Sequence, residues 1–221
     1  MSTEATTLRV IIAAFTDFLT VAIHTILYER AIYPPTSFLS ARKYNLSVRQ
    51  NRHPKVCEWI NDAVSAVETE LLKGVVGRVA IVIYTKDNHP VERFMLDVSR
   101  FPTVALADLD TPLERTAANG DRLPILPRID MEEQFRATLS RLASCSSTLK
   151  PLPEGCVFNI AVELKQDGQP PLNHPQPWMP VQSAKGDAVG GQLQKKAVPV
   201  RSIAAGELLL ECWIEEADGA S

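Results

Sequence analysis

The run 18–33, FLTVAIHTILYERAIY, limits what this chain can become more than any other stretch. Wound into a helix, Phe18, Leu19, Val21, Ala22, Ile23, Ile26, Leu27, Ala31 and Ile32 leave only a thin polar stripe. A helix apolar nearly all round is either packed on several sides within a domain or set across a bilayer. Asp17 precedes the run and Glu29-Arg30 interrupts it, so the uncharged part, 18–28, falls short of the ~20 residues a membrane requires. The expectation is a buried central helix over about 8–33 in a soluble domain without membrane contact. Pro34-Pro35 should end it, because proline lacks the amide donor and disfavours helix in the residue before it.

A chain of 221 residues, 45% hydrophobic and 22% charged, can bury a proper core as one domain. The formal net charge of −3 argues against a lone grip on a phosphate backbone, which needs a clustered cationic surface. The densest basic stretch, Arg42, Lys43, Arg49 and Arg52, reads as a solvated face. Cys57, Cys145, Cys156 and Cys212 form no Cys-x-x-Cys pair, and the N-terminus carries no secretory pattern. They are expected to be reduced thiols inside the cell.

Downstream, 38–50 predicts an extended or hairpin-like connector. A second helix opens at His53-Pro54, with Val56, Ile60, Ala63, Val64, Val67, Leu71 and Leu72 on one face and Gly74 as its stop. Trp59 falls beside that stripe. The β-branched run 79–84 predicts a strand central in a sheet, paired through the turn 86–89 with a strand over 91–98. The Pro- and Asp-rich stretch 101–127 predicts a long surface excursion. A third helix is expected over 129–148, with Met131, Phe135, Leu139, Leu142 and Cys145 inward, then a strand over 156–164. Residues 166–196 hold five prolines and few apolar anchors, yet strands are expected again at 197–203 and 207–214. Such an order suggests an arm that docks on the domain.

Signatures of enzymes are absent: no Walker loop, no dinucleotide fingerprint, no nucleophile elbow, no H-E-x-x-H. Ser40-Ala41-Arg42-Lys43 matches S-x-x-K, but the S-D-N and K-T-G that should accompany it are missing. His24, His53, His89 and His174 lie far apart, so no metal or cofactor is expected, and His24 should be a core histidine bonded to a hydroxyl or carboxylate. Glu68/Glu70 and Glu132/Glu133 read as solvated acidic faces. Trp59, Trp178 and Trp213 all sit outside the core stripes, Trp178 within Pro177-Trp178-Met179-Pro180. Tryptophans beside prolines suit either a surface for extended peptides or pins for the arm itself.

The blocks DFLTVAIHTILYERAIYP, KYNLSV, HPKVCEWINDAV and GRVAIVIYTKDNHPVERFMLDV, in that order, resemble the HORMA-domain family. Within it the similarity is greatest to the branch that supplies the non-catalytic accessory subunit of translesion DNA polymerase zeta. The resemblance implies an α+β fold: three helices packed on a mainly antiparallel sheet, with a C-terminal safety-belt arm. One HORMA domain would span 8–216 (core 8–164, belt 165–216), with 1–7 and 217–221 as flexible termini. It further implies an adaptor without catalysis, working in the nucleus in translesion synthesis. The belt would close over a proline-containing peptide of the polymerase's catalytic subunit, with Tyr33, Trp59 and Trp178 as aromatic contacts. A second surface, at Ala197, Arg201, Glu211 and Trp213, would bind the C-terminal domain of the scaffold translesion polymerase. Arg136 matches the position used for HORMA–HORMA pairing, and a remodelling ATPase is a further family partner. The alternative within the family is an adaptor of the spindle-checkpoint or meiotic chromosome-axis kind.

Overall fold

The computed structural model describes residues 6–116, 122–124, 128–166, 168, 178–179, 195–205 and 208–217. Its first helix, α1 (Leu8–Glu29), is enclosed by protein, with Phe15, Phe18, Leu19, Ile23 and Leu27 fully buried. The Thr7 hydroxyl accepts from the Val10 N–H at 3.3 Å and caps its start. The helix stops four residues before the expected point, and not through the prolines. Ala31 adopts a left-handed φ of 51°, the Ile32 N–H reaches Leu27 O at 3.1 Å, and the Ala31 N–H reaches Tyr28 O at 3.1 Å. These paired bonds are a Schellman closure, in which glycine usually holds the left-handed position.

The connector is a hairpin of β1 (Phe38–Lys43) and β2 (Leu46–Asn51), joined by Tyr44 and Asn45. Both turn residues have positive φ, 49° and 56°, the geometry that matches the twist of the flanking strands. Helix α2 (Pro54–Leu72) buries Ile60, Val64, Val67 and Leu71, as its spacing predicts. Glu70 corrects the acidic-face reading: it is 3% exposed and pairs with Lys73 at 2.8 Å. Gly74 follows at φ +73°, against Thr103.

One sheet organises the domain. Strands β3 (Val76–Tyr84), β4 (Pro90–Asp97), β7 (Val157–Leu164), β8 (Lys195–Ala205) and β9 (Leu208–Ala217) lie in the order β7-β3-β4-β9-β8, every neighbour antiparallel. A separate small pair joins β5 (Glu114–Thr116) to β6 (Arg122–Pro124). Helix α3 (Arg128–Leu142) supplies Met131, Phe135, Leu139 and Leu142 to the core and ends six residues early, giving way to a 3-10 turn at Cys145–Ser147. One face of the sheet, with Val79, Ile81, Ile83, Phe94, Leu96, Cys212 and Ile214, shares a single core with the helices. The other face carries a smaller cluster of Ala80, Val82 and Met95 flanked by Tyr84, Ala161 and Trp213.

Three further expectations are corrected. The excursion is not only surface: Phe101 and Leu109 are buried, and Phe101 meets Phe15 edge-on at 5.3 Å. The N-terminal boundary begins earlier than Leu8. Thr6 and Thr7 are buried, Thr6 O accepts from the Leu113 N–H at 2.8 Å, and Leu109 O accepts from the Arg9 N–H at 3.2 Å. At the other end, Ala217 still pairs with Lys195. His24 is a core histidine, but its Nδ1 accepts from the backbone N–H of Asn51 at 3.3 Å instead of meeting a hydroxyl or carboxylate.

Candidate functional site: an open sheet edge with an aromatic wall

The sheet has two edges, and they differ in chemistry. On β8, Pro199 removes a backbone donor, the register shifts between Pro199 and Arg201, and Lys195-Lys196 add charge. These are devices that blunt an edge against further strands. On β7, the sequence VFNIAVEL has no proline, a single charge and three β-branched residues, Val157, Ile160 and Val162. It pairs with β3 along its full length. Among the described residues its other side has no strand partner. Val157, at its start, is 54% exposed. An eight-residue, unblunted edge of this kind can take an added strand, whose main-chain bonds give affinity while side-chain walls give selectivity.

Beside that edge stands an aromatic wall. Phe158 lies on the helix-facing side of β7, opposite Ile83. Trp59 from α2 meets its ring edge-on at 5.0 Å, and Tyr33, just past α1, does so at 6.4 Å. The structure thus brings Tyr33 and Trp59 together through Phe158. Trp59 keeps 41% of its surface exposed. Burial raises the Tyr33 hydroxyl pKa above its ordinary value, so Tyr33 presents a neutral O–H. Phe158 was missed in the sequence because nothing in its strand pattern says that the strand is an edge. Trp178 packs on the main core and makes no ring contact with another described residue; its indole N–H is buried without a hydrogen-bond partner.

The residues expected at the scaffold surface are divided between the two faces of the β8–β9 hairpin. Ala197, opposite Glu215, shares the outward face with Glu211 and Trp213. Trp213 there donates to Glu215 at 3.2 Å and lies under the Arg78 guanidinium at 5.7 Å. Arg201 departs from this group. The register shift places it opposite Cys212, on the helix side, where Nη2 donates to Gln134 Oε1 of α3 at 2.9 Å. The local reason is the extra residue beside Pro199, which turns the side chains beyond it to the opposite face. Arg136 is exposed on α3 and among the described residues pairs with Glu133, at 3.1 Å.

The S-x-x-K residues do not meet. Three positions apart on a strand, they point to opposite faces: Ser40 Oγ lies 3.0 Å from Ser47 Oγ, while Lys43 pairs with Asp17 at 2.8 Å. Among the described residues no cluster of His, Cys, Asp or Glu could hold a metal ion.

The family model for the HORMA domain matches residues 12–206. A DNA polymerase zeta processivity subunit of Schizosaccharomyces pombe is 34% identical over 204 residues, covering 91% of each chain. Among solved structures, a chain of the mitotic checkpoint complex superposes with a TM-score of 0.69 at 18% identity, covering 94% of this chain and 99% of that one. HTP-2 of C. elegans bound to the HIM-3 closure motif gives 0.63 at 14% identity, with 97% and 93% covered. At those identities the two structures carry the fold alone.

Proposed function

The chain belongs to the HORMA-domain family, and on that premise we propose that it is the non-catalytic adaptor subunit of a DNA polymerase zeta, acting in the nucleus in translesion synthesis. The likeness to the S. pombe processivity subunit along nearly the whole of both chains supports the polymerase assignment. The observation that carries the mechanism is the unequal pair of sheet edges. The C-terminal hairpin sits on β4, and the β7 edge on the far side of the sheet is unblunted. A proline-containing segment of the polymerase's catalytic subunit adds to β7 as a further strand. Tyr33 and Trp59, braced on Phe158, offer flat faces to its prolines. The belt, 165–216, starts at the β7 edge and is anchored by the β8–β9 hairpin at the opposite edge, and its first part, 165–194, serves to cover the bound segment. Trp178 lies within that belt, and its unpartnered N–H is a donor for a carbonyl of the captured chain. Release requires the belt to open, which makes dissociation slow.

The outward face of the β8–β9 hairpin, with Ala197, Glu211 and Trp213, serves the C-terminal domain of the scaffold polymerase. Arg201 supports that surface from the other face, through its bond to Gln134 of α3; Arg136, exposed on α3, serves pairing with a second HORMA domain, and a remodelling ATPase recycles the closed form. Fluorescence anisotropy with a labelled proline-containing peptide of the catalytic subunit tests the groove. Trp59→Ala and Trp178→Ala should each weaken capture by about 2 kcal/mol, the scale of a buried aromatic anchor. Unchanged affinity in both variants would place the peptide elsewhere.

A further inference from the structure

The polymerase assignment leaves the β1–β2 hairpin without a role. From residue 34 to residue 57 the chain carries Arg42, Lys43, Arg49, Arg52 and Lys55 and no acidic residue. Of the 23 Lys and Arg in the molecule these are five, so the remainder sets 18 cations against all 26 Asp and Glu. The hairpin is therefore a cationic island on an acidic protein. Lys43 is neutralised by Asp17. No carboxylate among the described residues pairs with Arg42, Arg49 or Arg52, all of which are exposed.

The register turns these charges into a pattern. Ser40 stands opposite Arg49, and Arg42 stands opposite Ser47. The two arginines therefore occupy one diagonal of a square on a single strand face, and the two serines, with their hydroxyls 3.0 Å apart, occupy the other. The Arg49 guanidinium is held 4.9 Å above the Tyr28 ring, which limits its freedom before any ligand arrives. A shallow hollow of about 490 Å³ lined by Ser40, Ala41, Arg42, Asn45 and Ser47 lies at the Arg42 end of this square, with Arg49 outside its lining. Two forked donors with hydroxyl donors between them match carboxylates, which arginine binds through two parallel bonds.

We propose that the exposed part of this hairpin face, beyond the buried Phe38 and Asn51, is a docking surface for an acidic, extended segment of a partner protein, with Arg42 and Arg49 as its anchors. Charge complementarity over a short reach favours a peptide. A six-residue strand spans about 20 Å, enough for a few carboxylates. Tight grip on nucleic acid draws on roughly 6–10 phosphate contacts, and the acidic remainder of the molecule opposes a long polyanion. The surface also adjoins the groove along the chain, since Tyr33 lies just before β1 and Trp59 just after the start of α2.

The test is anisotropy of a fluorescein-labelled oligoglutamate peptide with the full chain, at low and at physiological salt. Binding is expected, weakening as salt rises. The double variant Arg42→Ala/Arg49→Ala should lose about tenfold in affinity. So should Ser47→Glu, which sets a carboxylate opposite Arg42 while keeping both arginines. Arg100→Ala, an exposed cation outside the hairpin, should bind as the parent does. Capture of the proline-containing peptide, measured in parallel, should not change in the hairpin variants, so failure here is distinct from failure of the groove. Three results would each overturn the proposal: no binding by the parent chain, an equal loss in Arg100→Ala, or a thymidine oligonucleotide binding more tightly than oligoglutamate.

Discussion

Two residues hold conformations or charge states that their neighbours impose. Ala31 closes α1 at φ 51° although a Cβ disfavours that region, and its side chain is exposed. Ala31→Gly removes the strain without losing packing, and should raise stability by roughly 0.5–1 kcal/mol in urea unfolding. His24 is 4% exposed, and burial pushes its imidazole pKa down from 6.5 to about 4. Between those values the unfolded chain takes up a proton that the folded one refuses. Stability from this group is full above about pH 6.5 and is lost as pH falls towards 4, by about 3 kcal/mol in total. His24→Asn, whose amide oxygen can replace Nδ1 as the acceptor, should flatten that part of the profile. Urea midpoints at pH 7, 5.5 and 4.5 for both proteins measure the difference; parallel profiles would refute it. Glu92, whose pKa burial raises against the pull of Arg30, acts with the opposite sign and cancels in the comparison.

At the level of elements, the end of α1 is fastened to the sheet by charge. Arg30 donates from Nε to Glu92 at 2.9 Å and from Nη2 to Lys150 O at 2.6 Å, both side chains being about 95% buried. Glu216 of β9 stands opposite Glu92 and accepts from the Lys150 N–H at 2.9 Å. Arg30→Met leaves buried carboxylates without their cation and should cost about 3–5 kcal/mol, whereas Arg30→Met with Glu92→Leu should recover much of it. The midpoints of unfolding decide this. Neither partner was legible as part of a pair, because Glu29-Arg30 reads as an interruption of an apolar run and Glu92 as an alternating strand residue. The helices, the hairpin β3–β4 and the inward faces were legible, since periodicity records which side of an element is buried. Phe158 was not, and neither was the split of Arg201 from Ala197, Glu211 and Trp213. Edge position and a register shift depend on strand order, which no local pattern encodes. The end of α1 was misplaced for a related reason: a left-handed alanine leaves no trace in composition, whereas two prolines do.

For the molecule as a whole, the proposed capture makes the bound peptide a sixth strand on β7 with the belt closed over it. An antiparallel sheet with one blunted and one open edge favours that placement. Among the four thiols, burial pushes Cys145 and Cys212 up to about 12, so both should resist alkylation while the fold is intact, and Cys57 and Cys156 should react first. Full labelling of all four at one rate would mean that β9 leaves β4 on the labelling timescale. The most direct measurement is amide hydrogen exchange with and without the proline-containing peptide of the catalytic subunit. New protection should concentrate on β7 and on 165–194, with α3 and the β1–β2 hairpin unchanged. Protection confined to other strands, with β7 exchanging as freely as before, would contradict capture on β7.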